Sequence, residues 1–418
     1  MVPRFVVICT SFGFLPHLYI YTYTYIYVYV HTYIMSDLLN SISVRSESST
    51  PGTNNFAVSS SPKMTSIPKQ TRQWIVSNPP KTNVHLDGDN ATWTLQTVDL
   101  PELQDGQVLV KLKYLSNDPA QRGWMQDGVD AERLYVPPVR KGDVMRSIGI
   151  GEVVQSKDES LKEGQIVSCM PDWQEYKVFD AKACMPIQED KEAGIRATHY
   201  IGAMGGPGVT AWWGLMDVAK TTKEDTVVVS GAAGCTGSMV VQLAKHVLGC
   251  KRVIGIAGGE KKCKYVESLG ADVCVDYKAA DFEEQLIKAT EGYAEVYFDN
   301  VGGRILDLML KRIKRYGRVA VCGSISTYND PESTNLKNWF EVIANRIELK
   351  GLIVLDAFMQ GKGPEITGNL RNAVKEKKIQ IEVQEETIVP TKFEDIPKTW
   401  MMLFEGGNQG KLVSELQF

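Results

Sequence analysis

Hydrophobic and polar positions change rhythm along this chain. From about residue 65 to 195 the apolar positions come in short β-rich runs, each bounded by Pro, Gly, Asn or Asp. Strands are predicted at 73–76, 93–98, 107–112, 149–154 and 164–168. From about 196 the rhythm becomes strand alternating with helix. A helix is expected over 210–219, followed by a strand at 226–229. Met239, Val240, Leu243 and Ala244 then recur at helical spacing. Strands at 252–257, 273–277, 295–300, 318–323 and 349–355 flank helices at 262–269, 282–290 and 305–311. This alternation predicts an α/β fold with a doubly wound parallel sheet. After about 378 a strand-like stretch, 379–386, precedes a helix at 396–403, and the tail is expected to rejoin the β-rich part. The chain thus divides into a non-globular extension (1–64), a β-rich domain (65–195 and 379–418) and an α/β domain (196–378).

The first 63 residues follow neither rhythm. Residues 5–34 hold no Lys, Arg, Asp or Glu, and 19–34 place tyrosine at nearly every second position. Three readings stay open. One is a signal or membrane anchor, although dense Tyr and Thr with Pro16, His17 and His31 make a poor span. Another is a segment outside the native protein. A TA-rich nucleotide repeat encodes Tyr alternating with Thr, Ile or Val, and both Met35 and Met64 offer later starts. The third is some other role. Residues 36–63 are rich in Ser, Thr and Asn and read as a disordered linker.

Composition changes this picture little. At 418 residues the length fits two or three domains, and 43% hydrophobic with 23% charged residues is ordinary for a globular protein. A net charge of −4 gives no global attraction to nucleic acid, and no nucleic-acid partner is expected. The basic run Lys311-Arg312-Ile313-Lys314-Arg315 is expected to end a helix, where cations suit the dipole. The eight cysteines include no C-x-x-C pair and the five histidines no H-E-x-x-H, so no metal site is expected. Scattered thiols in so long a chain suit a reducing, cytoplasmic setting.

The stretch with the most chemistry is TVVVSGAAGCTGSMVVQLAK, from Thr226 to Lys245. Its glycine turn reads A-x-G-x-x-G, with Ala232 in place of the first glycine of a dinucleotide fingerprint. Alone, that match also serves an ordinary βα turn. Standing first in a parallel sheet, it favours a pyrophosphate on the helix N-terminus. The next strand ends Ala257-Gly258-Gly259 and is followed by Glu260, Lys261 and Lys262, without an acid at the strand end. Lysine there suits a 2′-phosphate and favours NADP over NAD; a merely solvated helical turn is the alternative.

Four motifs in order, VSGAAGCTGSMVVQLAKHVLGCKRVIGIAGGEKKCKYVESLGADVCVDYK, VYFDNVGG, VCGSISTYN and GGNQGKLV, resemble the medium-chain dehydrogenase/reductase superfamily. Within it they are similar to the zinc-independent leukotriene B4 12-hydroxydehydrogenase/prostaglandin reductases and alkenal/one oxidoreductases. The similarity spans about 72–413. It implies a Rossmann NADP-binding domain beside a GroES-like catalytic domain, a homodimer, and NADPH-dependent reduction of the C=C bond of a small α,β-unsaturated aldehyde or ketone. By motif, it implies a phosphate loop at Gly234, Cys235, Thr236 and Gly237, and a 2′-phosphate pocket at Lys262 and Tyr277. Asn300 would approach the nicotinamide-side ribose. Cys322, Gly323, Ser324, Ile325, Ser326, Thr327 and Tyr328 would wrap the nicotinamide, with Leu352, Ile353 and Val354 on the ring and Asn408 reaching back from the tail. The Tyr328 hydroxyl would hydrogen-bond the substrate carbonyl. Plainer readings stand beside these: a strand-end turn for Asn300, a packed loop ring for Tyr328, a left-handed turn for Asn408, turn chemistry for Asp118 and core packing for Trp212 and Trp213. The family's LSxDPYMR stretch is here LSNDPAQR, so Ala120 replaces an aromatic and reshapes the substrate cleft. A quinone reductase of the same fold and a non-catalytic NADPH-binding protein are the competing functions.

Overall fold

The computed structural model describes residues 67–381 and 385–418. The expectations for the extension 1–64, including the uncharged run 5–34, lie outside the described residues. The first half builds β1 (Gln70–Val76), β2 (Trp93–Asp99), β3 (Gln107–Asn117), α1 (Gln121–Trp124), β4 (Gly149–Ser156), β5 (Ile166–Cys169), β6 (Tyr176–Asp180) and β7 (Met185–Pro186). Then come α2 (Gly206–Trp212), β8 (Thr226–Ser230), α3 (Cys235–Gln242), β9 (Arg252–Ala257), α4 (Glu260–Ser268), β10 (Val273–Asp276), α5 (Phe282–Ala289), β11 (Ala294–Asp299), α6 (Gly303–Leu310) and β12 (Ile313–Val321). The chain ends with α7 (Phe340–Asn345), β13 (Glu348–Gly351), α8 (Val354–Met359), α9 (Gly363–Lys375), β14 (Glu386–Lys392), α10 (Ile396–Glu405) and β15 (Lys411–Gln417).

Six strands form a parallel sheet in the order β10-β9-β8-β11-β12-β13. Strand order reverses between β8 and β11, and the crevice at that point, beyond the strands' carboxyl ends, is where such sheets bind ligands. Both faces are covered. Val227 and Val229 of β8 pack with α3 and α9, whereas Val228 packs on the opposite face with Phe282, Leu286 and Met309 of α5 and α6. A four-residue apolar run needs no alternation because both sides of its strand are buried.

The second sheet is mixed, in the order β14-β15-β3-β4-β5-β7, with β6 also on β3. The eleven-residue β3 is its spine: residues 107–111 pair with β6 and 114–117 with β15, while β4 occupies the other edge. Gly149 and Gly151 of β4 let β3 come close, since a Cβ on Gly151 would lie 2.3 Å from Val110 Cγ1. Trp93, Trp173 and Trp400 form an aromatic centre with ring centroids 5.1 and 5.4 Å apart. Trp400 comes from the tail helix and β15 from the tail strand, so the last residues complete this half. The molecule is thus a Rossmann-type α/β domain beside a sheet-rich catalytic domain.

Several expectations need correction. The strand predicted at 349–355 ends at Gly351, where its partner β12 has run out at Val321. The chain then turns into α8, and Leu352 N–H is held by Val321 O at 3.1 Å. Ile379 and Gln380 lie outside any strand, which begins only at Glu386; residues 382–384 fall outside the described residues. The basic run 311–315 does not end a helix as a unit: α6 stops at Leu310 and Ile313 already belongs to β12. Arg312 donates to Thr290 O (2.8 Å) at the end of α5, and Lys314 pairs with Glu295. No expectation from the sequence covers strands β6 and β7 or helices α1, α7 and α9.

Candidate active site

The crevice is built from the end of β8. Gly231 takes a left-handed φ of +58°, and Ala232 N–H donates to Ile256 O (3.1 Å), which anchors the turn on β9. A Cβ on Gly237 would sit 2.2 Å from Gly231 O, so only glycine lets α3 start this close to the turn. No side chain caps α3 at Gly234. Its N-terminus therefore presents backbone donors and the positive end of the helix dipole to the crevice. Cys235, the first helical residue, has its thiol pushed well up by burial, so it stays protonated.

The tail seals this turn from the other side. Gly410 N–H donates to Ala233 O at 2.8 Å, and Gly234 and Gly410 form a parallel bridge. Asn408 braces this tail turn, its Nδ2 donating to Gly410 O (2.9 Å). Behind it, Lys411 is 2% exposed and donates to Asn117 O (3.1 Å) while pairing with Asp118. Asp118, expected only as a turn residue, accepts from Ser116 Oγ as well. It thereby holds the tail to the end of β3.

At one end of the crevice lies Lys262 on α4. Its Nζ donates to Gly406 O (3.0 Å), the carbonyl that closes α10. Burial, with Lys278 nearby, holds its ammonium below the usual lysine range. That is the condition of a cation lacking an anionic partner. The ring of Tyr277 lies against Gly258, where a Cβ would meet it at 2.8 Å.

At the switch point, Asp299 is fully buried. Its Oδ1 accepts from Ser230 Oγ (2.9 Å), Tyr297 OH (2.7 Å) and the N–H groups of Val301 and Gly302 (3.0 Å each). Its carbonyl takes the N–H groups of Cys322 (2.8 Å) and Gly323 (3.1 Å). Asn300 crosses to β8, with Nδ2 donating to Ser230 O at 2.7 Å. This network fixes the loop after β12, which carries Tyr328. The Tyr328 hydroxyl accepts from Ser324 N–H at 3.3 Å, and burial raises its pKa above the ordinary phenol value. Burial likewise pushes the Cys322 thiol up to about 12.

One cavity of about 830 Å³ joins these parts. Of the residues that the sequence motifs assign to the site, Ser324 and Thr327 do not line it; the other sixteen do. Ser324 Oγ and Thr327 Oγ1 bond each other at 2.8 Å and brace the loop from behind. The cavity is lined as well by the side chains of Ala120, Trp124, Tyr135, Met204, Leu355 and Phe358. None of these but Ala120 was singled out in the sequence, because they come from separate segments that only folding brings together. Trp212 and Trp213 pack in or against the core, Trp213 at 6% exposure.

The geometry has counterparts. A family model described as the N-terminal domain of oxidoreductase matches residues 72–187, and one described as zinc-binding dehydrogenase matches 235–367. An Escherichia coli NADPH-dependent curcumin reductase is 33% identical over 82% of this chain and 96% of its own. Rabbit prostaglandin reductase 1 is 32% identical over 80% of this chain and 91% of its own. A Saccharomyces cerevisiae protein described as an uncharacterized membrane protein is 31% identical over 82% of this chain and 98% of its own. The crystal structure of Vibrio vulnificus CurA in complex with NADPH superposes with a TM-score of 0.72 at 33% identity, covering 83% of this chain and 99% of that one. The chain belongs to the medium-chain dehydrogenase/reductase superfamily. Its branch is the zinc-independent one of prostaglandin and alkenal reductases.

Although one superfamily model is named for zinc, no group of three or more His, Cys, Asp or Glu among the described residues could hold a metal ion. A dinucleotide, by contrast, fits what this superfamily member presents. The uncapped start of α3 suits a pyrophosphate, and the under-compensated Lys262 suits a phosphate on the ribose. Among the described residues no helix is long and apolar enough to cross a membrane.

Proposed function

We propose that this protein is an NADPH-dependent reductase of the C=C bond of α,β-unsaturated aldehydes and ketones. The observation that carries the reading is one cavity lined both by the start of α3 with Lys262, which suit anions, and by apolar side chains together with the Tyr328 phenol. Bound NADPH supplies the hydride. Gly234 to Gly237 would hold its pyrophosphate and Lys262 with Tyr277 its 2′-phosphate. Leu352, Ile353 and Val354 would back the ring.

The chain's own part in the chemistry is to stabilise charge on the carbonyl oxygen as the β-carbon is reduced. Tyr328 would serve this role. Its oxygen already accepts from Ser324 N–H, so its proton remains free to be donated. A raised pKa keeps that proton in place through neutral pH. The apolar walls exclude water and favour a substrate without charge. The α-carbon takes its proton from Tyr328 or water. Ala120, in place of an aromatic, opens this end and argues against a prostaglandin-type substrate.

The test is NADPH oxidation with 2-nonenal and with a benzoquinone, repeated with NADH. Turnover of 2-nonenal with NADPH is expected, and Tyr328→Phe should lower kcat by roughly 10- to 100-fold. Turnover of the quinone alone would replace this reading with a quinone reductase. Binding of NADPH without turnover of either would leave a non-catalytic NADPH-binding protein.

Three further parts of the reading are also proposals. The domain division runs 65–195 with 379–418, and 196–378. The setting is cytoplasmic. The assembly is a homodimer, supported by the free edge of β13 and the apolar face of α7 beside it.

A further inference from the structure

Arg122 is a buried cation that no acid compensates among the described residues. It is 1% exposed, and the oxygens it meets are all neutral. Nη1 donates to Gln126 Oε1 (2.9 Å), and Nη2 donates to Pro80 O (3.3 Å) and Thr82 O (2.6 Å). Nε donates to Asn329 Oδ1 at 2.9 Å. Burial pushes its pKa down to about 10, so the chain bears a cost for keeping a guanidinium here. Three of these four bonds lie within the catalytic domain. The fourth crosses the cleft to the residue that follows Tyr328.

We infer that Arg122 and Asn329 form a cross-cleft latch that positions the Tyr328 loop. The loop has few other holds on that side. Its other bonds run back to its own domain or stay within the loop, among them Cys322 and Gly323 N–H to Asp299 O (2.8 and 3.1 Å), Ser326 N–H and Oγ to Val301 O (3.2 and 2.6 Å), and the Ser324–Thr327 pair. Without the latch the phenol would keep its own chemistry but lose a fixed position relative to a substrate bound against Ala120 and Trp124. Misplacement of about 1 Å can cost a catalytic step on the order of 100-fold. A planar fork suits the task, since it holds α1, the 80–82 segment and the loop in one geometry, and lysine cannot make all four bonds at once. Arg122 and Asn329 are therefore positioning residues. This rests on the reading of Tyr328 as the carbonyl's partner.

The experiment uses the full chain and Asn329, which is only half-buried, because replacing Arg122 itself threatens folding. Hydrogen–deuterium exchange over 322–330 is measured without added nucleotide, and kcat and KM are measured with 2-nonenal and NADPH. Asn329→Leu is expected to speed exchange in that segment by about tenfold and to lower kcat by about tenfold, while KM for NADPH moves less than about twofold. Asn329→Asp, which turns the bond into an ion pair, should retain wild-type exchange and kcat. Unchanged exchange in Asn329→Leu overturns the latch, as does unchanged kcat or an equal loss in Asn329→Asp. If the wild-type protein reduces no enone, the functional reading falls and exchange alone decides the latch: lost protection supports it and unchanged protection removes it.

Discussion

At the scale of single residues, two charged side chains show how burial sets function and stability. Lys262 lines the cavity with, among the described residues, only a carbonyl as its hydrogen-bond partner, and a phosphate would replace that weak bond with a charge-assisted one. Lys262→Ala should raise KM for NADPH by roughly 10- to 100-fold and leave KM for NADH unchanged, read from initial rates with each nucleotide. Glu385 is the second case. Burial raises its pKa from 4.5 to about 7, although Ser238 Oγ donates to it at 3.0 Å. A carboxyl whose folded pKa lies above its unfolded one binds a proton more tightly when folded. Its stabilising contribution is complete below about 4.5 and is lost as pH rises through about 7. At about 1.4 kcal/mol per pH unit this amounts to on the order of 3–4 kcal/mol across that window. Glu385→Gln should therefore flatten the fall in melting temperature between these pH values and leave the variant more stable than wild type at pH 8. The neighbouring Glu386, also raised by burial, contributes to the slope that remains.

At the scale of elements, the strand–turn–helix unit from β8 to α3 was legible because its signals are local: a β-branched run, small residues, then helical spacing. The same holds for β9, whose six residues fall where the pattern put them. Elements whose reasons are non-local were missed or misdrawn. Strand β6 exists because β3 offers an edge, and β13 stops because β12 does. Helix α9, with Ile366, Leu370, Ala373 and Val374 buried on one face, carries a readable pattern that was not drawn out. The turn makes a prediction at this scale. Gly237→Ala would set a Cβ 2.2 Å from Gly231 O and 2.8 Å from Ala232 Cα, contacts that no rotamer relieves. The start of α3 must then move off the turn, at a cost of roughly 1–3 kcal/mol. A melting temperature lower by several degrees, together with weaker NADPH quenching of tryptophan fluorescence, is the expected result.

For the whole molecule, what the sequence left hidden is what joins its distant segments. The glycine turn, Lys262 and Tyr328 each sit in a motif, but Lys411 with Asp118 and Arg122 with Asn329 are pairs separated by hundreds of residues, which no local pattern marks. Assembly depends on surfaces of the same kind. Among the described residues, strand β13 pairs only with β12 and leaves its other edge open, and α7 beside it buries none of its residues. Phe340 is 70% exposed, Ile343 64% and Trp339 50%. An open strand edge flanked by large apolar side chains is a template for another strand, and in the proposed homodimer the β13 of a second copy would meet it by two-fold symmetry with the same patch on both sides. Covering that patch would remove the largest apolar side chains from water without touching the cleft. Ile343→Lys combined with Phe340→Glu should therefore convert a dimer to a monomer in size-exclusion chromatography with light scattering, while KM for NADPH stays near the wild-type value. A wild-type protein that runs as a monomer at micromolar concentration would remove the homodimer, and a double variant that stays dimeric would move the interface elsewhere.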